Sequence, residues 1–105
     1  MHSGLGDLGR FSDPSLLILS SLAGGAKHGY AMIEDIHALS GVRLGPGTLY
    51  GALARLEERG LIAPLATEDR RRPYRLTAAG AVALREQLTM IESLARTGLQ
   101  RLAAI

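Results

Sequence analysis

The chain has 105 residues, 47% hydrophobic and 21% charged, which is one domain's worth of ordinary globular composition and excludes disordered or collagen-like material. It has no cysteine, which removes disulfides, thiolate metal sites and cysteine nucleophiles, and no apolar run approaching the ~18 residues of a membrane span. Twelve basic against ten acidic side chains leave a net charge of only +2, so a polyanion-binding surface must come from where the charges sit rather than from their sum.

The N-terminus has neither a basic stretch nor a hydrophobic signal core, so the expected location is cytoplasmic with no membrane partner. Residues 1–12, MHSGLGDLGRFS, are glycine-rich and without period; they read as an arm that packs through Leu8 and Phe11. Asp13 and Pro14 then supply an N-cap and a first-turn proline. Leu16 to Leu19 with Leu22 and Ala23 make a mostly buried first helix that ends at Gly24 and Gly25.

Met32, Ile33, Ile36 and Leu39 recur at helical spacing, which predicts a second helix over 29–39 stopped by Ser40 and Gly41. Gly45 and Pro46 restart a third helix, with Leu49, Ala52, Leu53 and Leu56 as its apolar stripe and Gly60 as its terminator. Two short extended segments follow, 61–66 and 73–76, joined by the polar stretch 67–72: a hairpin with Arg70, Arg71 and Arg72 near its tip. Thr77 caps a last helix running towards Ile105, whose Leu84, Leu88, Ile91, Ala95 and Leu102 step by threes, fours and a seven.

Three helices, an arginine-tipped hairpin and a long helix form the element order of a mainly α (α+β) winged helix-turn-helix with a two-stranded wing and a C-terminal dimerisation helix. The expected division is an arm over 1–12, a DNA-binding domain over 13–77 and a dimerisation helix over 78–105. In that geometry the third helix enters the major groove and the wing arginines reach phosphates or the minor groove of double-stranded DNA. A winged helix closes its core with three helices and the hairpin, so the stripe of the last helix is expected to meet a second copy of the chain. Gly98 weakens that seam.

On the third helix, the face opposite the apolar stripe carries Gly47, Gly51, Ala54 and Glu58, flanked by Thr48 and Arg55 on one side and Tyr50 on the other. Glycines there either only loosen the helix, at up to about 1 kcal/mol each, or let its backbone approach a groove closely. We favour the second, which leaves Thr48, Tyr50 and Arg55 to make the contacts. Tyr74 shares a strand face with Leu76 and is expected to pack inward.

The stretches KHGYAMIEDI, PGTLYGALARLEERGLI and RRRPYRLTAAG, in that order and spacing, resemble the PadR family of transcriptional regulators, over roughly residues 15–88. The resemblance implies a homodimeric bacterial regulator, usually a repressor, that leaves its operator when a small-molecule effector binds; the chain length is similar to that of the short subgroup with one C-terminal helix. It also implies that Tyr50 faces DNA and that Tyr30 contacts a phosphate, with core packing as the alternative for Tyr30.

Enzymatic chemistry finds no residues. Glu34 and His37 form a single ExxH without the second copy that a di-iron site needs, the glycines around GPGTLYG match neither a phosphate loop nor a dinucleotide fingerprint, and no serine sits in a nucleophile elbow. The expectation is a protein without cofactor or metal. A winged helix that binds a protein partner and an architectural DNA binder with little sequence preference are the alternative functions. Tryptophan is absent, so an effector cannot be stacked between indoles; a cavity lined by Leu16, Leu88, Met90 and Ile91 is expected to bind planar molecules weakly. Any inducer would be recognised through Phe11, a tyrosine or an arginine at the pocket mouth, or there is no inducer.

Overall fold

A computed structural model describes residues 13–105, so the expected arm and its Leu8 and Phe11 lie outside the described residues. The elements in chain order are α1 (Pro14–Ala23), β1 (Lys27–His28), α2 (Gly29–Ser40), α3 (Pro46–Glu58), β2 (Ile62–Pro64), β3 (Pro73–Leu76) and α4 (Ala78–Ala103). The helix ends follow from local chemistry. The Asp13 carboxylate accepts from the Ser15 N–H at 2.9 Å, and the Thr77 hydroxyl accepts from the Gly80 N–H at 3.0 Å, each satisfying an orphan donor of a first helical turn. Helix α3 ends as the sequence predicts: Gly60 takes φ of +76°, its N–H meets the Glu57 carbonyl at 2.9 Å and the Leu61 N–H meets the Leu56 carbonyl at 3.0 Å, the paired bonds of a Schellman stop.

The sheet has three strands, not the two expected, in the antiparallel order β1-β3-β2. Strand β3 pairs with β2 through Ile62↔Leu76, Ala63↔Arg75 and Pro64↔Tyr74, and with β1 through Lys27↔Tyr74 and His28↔Pro73. A two-residue strand leaves no alternation to read in sequence; it exists only because β3 lies beside it. Lys27 also anchors it chemically. Its ammonium donates to the Ser21 carbonyl at the end of α1 and lies 3.7 Å from Asp35, whose carboxylate accepts from the buried Ser21 hydroxyl at 2.7 Å.

The core gathers Ile18 and Leu22 from α1, Met32 and Ile36 from α2, Leu49, Ala52, Leu53 and Leu56 from α3, and Ile62 from β2. Aliphatic burial of this kind contributes about 1.5–3 kcal/mol per side chain. The first turns of α4 join it. Gly80 packs against the Leu61 backbone carbonyl and the Leu76 side chain with no room for a Cβ, and Leu84 is only 5% exposed. Leu84, expected on the dimerisation stripe, therefore belongs to the chain's own core, because the helix starts against the sheet before it leaves the domain. Beyond it, α4 runs unbroken through Gly98 with Leu88, Leu94, Ala95, Leu99 and Leu102 exposed and Ile91 half-buried.

Candidate nucleic-acid interface

The wing tip is a two-residue turn. Glu68 and Arg71 exchange two backbone hydrogen bonds of 2.7 Å, and between them Asp69 and Arg70 have φ of +47° and +66°. Positive φ at both central residues is the type I′ geometry that matches strand twist and ordinarily takes Asn-Gly. Asp69 tolerates it through its short polar side chain; Arg70 holds it against a Cβ clash of about 1–2 kcal/mol. Arg70, Arg71 and Arg72 are exposed, and none forms a salt bridge among the described residues.

Pairing of β1 with β3 sets His28 beside Pro73 and so brings Arg71 to it from 43 residues away, with the Arg71 guanidinium 3.3 Å from the His28 Nε2. The other ring nitrogen, Nδ1, accepts from the Ala31 N–H at 3.3 Å and caps α2. Tyr30, in the first turn of α2, is 63% exposed, so the core alternative for it falls away. The phenol end of Tyr50 reaches across from α3 and lies over Gly29, where a Cβ would stand 2.6 Å from the Tyr50 hydroxyl oxygen.

These groups enclose a cleft of about 330 Å³ lined by His28, Gly29, Tyr30, Tyr50, Arg70, Arg71, Arg72 and Tyr74. All three tyrosines of the chain meet there. Tyr74 packs against the core from its strand, as expected, and also forms a wall of the cleft; burial and the Glu57 carboxylate push its phenol above its ordinary value, with Arg72 opposing. No carboxylate lines the cleft among the described residues.

Tyr50 joins the cleft to the outer face of α3, where Gly47, Thr48, Ala54 and Arg55 are exposed and Gly51 is half-buried. Nothing lies within 4 Å of the Cβ position at Gly47, and at Gly51 only the Arg55 guanidinium approaches, at 3.6 Å. A side chain at Gly47 would therefore stand in open space, and one at Gly51 would meet only the end of Arg55. Sequence reasoning missed His28, Gly29 and Tyr74 as cleft residues. The HGY match drew attention to Tyr30 alone, and His28 gains its place only through the third strand. The ExxH pair is accounted for by Arg43, whose guanidinium lies 3.4 Å from Glu34 and 3.3 Å from the His37 Nδ1.

A helix-turn-helix whose third helix has an exposed outer face, a basic wing and, among the described residues, a cleft between them without carboxylates define a winged-helix transcriptional regulator of the DNA-binding kind. The chain belongs to the PadR family: the profile described as "Transcriptional regulator PadR-like family" matches residues 18–86. It is 41% identical over 87 residues to "Transcriptional regulator Rv3488" of Mycobacterium tuberculosis, covering 77% of this chain and 78% of that one. It is also 54% identical over 71 residues, 68% of its length, to an uncharacterized 37.1 kDa protein of a Streptomyces fradiae transposon, and the match spans only 21% of that longer protein. Among solved structures it resembles a PadR family transcription regulator from Clostridium difficile, with a TM-score of 0.75, 26% identity and coverage of 85% of this chain and 97% of the other. A transcriptional regulator from Clostridium thermocellum gives 0.72 at 28% identity, with 87% and 93% covered. Membership makes the chain a DNA-binding transcription regulator rather than an enzyme. Among the described residues no helix is long and apolar enough to cross a membrane.

Proposed function

We propose that the chain acts as a homodimeric, sequence-specific repressor that holds its operator through α3 and the wing and releases it on binding a small molecule. The observation that carries this reading is the cleft in which Tyr30, Tyr50 and the three wing arginines converge beside the glycine-smoothed face of α3. Gly47 and Gly51 let the helix backbone approach base edges, Thr48, Tyr50 and Arg55 read them, and Tyr30 with Arg70, Arg71 and Arg72 holds the phosphates. Leu88, Ile91, Ala95 and Leu102 of α4 form the seam with a second copy. Support for the seam is the exposed apolar stripe of α4 from Leu88 to Leu102, about 21 Å of helix at about 1.5 Å per residue, beyond the first turns that the chain's own core covers.

For the effector we propose the groove of about 570 Å³ between α1 and α4, whose lining includes Leu16, Leu61, Leu84 and Ile91 together with Asp13, Arg59, Glu86 and Gln87. The cavity expected from sequence is divided: Leu88 and Met90 face two other hollows on different sides of α4. Repression follows the family expectation; a Halobacterium salinarum relative, 34% identical over 80 residues and matched over 40% of its length, is named a transcriptional activator. Selection of random duplexes with the purified protein tests the reading. A recovered sequence that binds far more tightly than random DNA at physiological salt supports it, whereas equal binding of all duplexes identifies an architectural protein.

A further inference from the structure

His28 faces two hydrogen donors, the Ala31 N–H at its Nδ1 and the Arg71 guanidinium at its Nε2, each at 3.3 Å. A neutral imidazole offers one lone pair, and an arginine side chain offers none. The ring therefore accepts from only one of them. The backbone N–H of Ala31 is fixed by the helix, whereas Arg71 is a flexible exposed side chain, so the lone pair lies on Nδ1 and the ring proton on Nε2. That leaves the Nε2–H of His28 and an N–H of Arg71 facing each other with no acceptor between them. Both border the cleft, which is lined by two further arginines and three tyrosines and, among the described residues, by no carboxylate.

We propose that His28 and Arg71 together grip one non-bridging phosphate oxygen of the DNA backbone at this cleft. His28 joins two tasks in one ring: Nδ1 holds the start of α2, and Nε2 holds the phosphate. The inference rests on the DNA-binding reading above and adds to it a residue and a pairing. An oxygen anion satisfies both donors at once, and hydrogen bonds of this charge-assisted type are about twice as strong as neutral ones.

Two substitutions separate the tasks of the ring. His28→Asn keeps an oxygen able to cap the helix but is too short to present a donor at the Nε2 position; His28→Gln reaches that position but gives up the cap. His28→Asn is expected to keep the wild-type melting temperature and bind the selected duplex ~10-fold more weakly, the value of one hydrogen bond to a charged group. His28→Gln is expected to bind DNA within about threefold of wild type while melting roughly 4–8 °C lower, the effect of a lost cap. In an Arg71→Ala background, the loss from His28→Asn should shrink to less than about threefold, because the shared oxygen has already lost one holder.

Unchanged DNA affinity in His28→Asn, or losses from the two substitutions that simply multiply, overturns the shared phosphate. Wild-type protein that binds no duplex at all overturns the DNA-binding reading itself, a separate and recognisable failure. The source of the phosphate is read from the His28 ring signals by NMR at constant ionic strength. Movement with duplex DNA but not with millimolar inorganic phosphate supports a backbone contact, and equal movement with both overturns it in favour of a free-phosphate site.

Discussion

Arg70 occupies a backbone conformation that glycine adopts without strain, and its guanidinium stands at the tip of a wing beside a basic cleft. Arg70→Gly is expected to stabilise the fold by up to about 1 kcal/mol while weakening DNA binding, a divergence that thermal melting and a binding titration would read together. If affinity is kept, Arg70 makes no DNA contact. The close-approach glycines separate in the same way. An alanine at Gly80 meets the Leu61 backbone, which cannot yield, and should cost about 2–3 kcal/mol or more of stability. An alanine at Gly29 meets the end of the exposed Tyr50 side chain, at 2.6 Å, and the buried Leu49 side chain, at 3.0 Å, so Gly29→Ala should reduce DNA affinity and lower the melting temperature less than Gly80→Ala does. Equal destabilisation by both would show that Leu49 and Tyr50 give way no more easily than the Leu61 backbone does.

Helix α4 performs different work along its length. Its first turns close the core through Gly80 and Leu84, and the remainder exposes leucines to no partner among the described residues. Leu84→Ala should therefore act as a core deletion and cost about 2–5 kcal/mol. Replacing Leu88 and Leu102 with glutamate should leave the single-chain fold intact and abolish association, because both seam side chains are exposed within the chain, at 44% and 65%. Sedimentation at tens of micromolar distinguishes the two. A wild-type chain that sediments as a monomer removes the dimer from the proposal.

At the scale of the whole molecule, DNA affinity divides between positioning and readout. Loss of Arg71 and Arg72 to alanine should weaken all duplexes alike and reduce the salt slope by about 0.9 for each phosphate contact removed. Thr48→Ala or Tyr50→Ala should instead relax the preferred sequence, at about 1–3 kcal/mol per base-edge contact. The same loss on selected and random DNA would take the α3 residues out of readout. The groove between α1 and α4 has no aromatic ring among its described lining residues, so planar aromatic cations, attracted only by the Asp13 and Glu86 carboxylates, should bind weakly. Following melting temperature across a panel of such cations tests this, since a ligand at a hundred times its dissociation constant adds about 2.7 kcal/mol. A tight planar binder that also releases DNA would show that aliphatic side chains suffice for the pocket.

What the sequence determined by itself was what neighbours along the chain decide. Asp13, Thr77 and Gly60 carry their capping chemistry within three or four residues, and the periods of Leu49 to Leu56 and of α4 are local, so the helices, their order and the arginine-bearing hairpin were legible without coordinates. Tertiary structure alone decided the third strand, the burial of Leu84 and the close packing at Gly80 and Gly29, because each depends on a segment distant in sequence. The cleft is the clearest instance. His28 and Arg71 are 43 residues apart, and a sequence period records only which face of its own element a side chain occupies. Strand β3 decides that these two donors meet, because its two edges pair at once with β1, which leads into α2, and with β2, which leads into the wing.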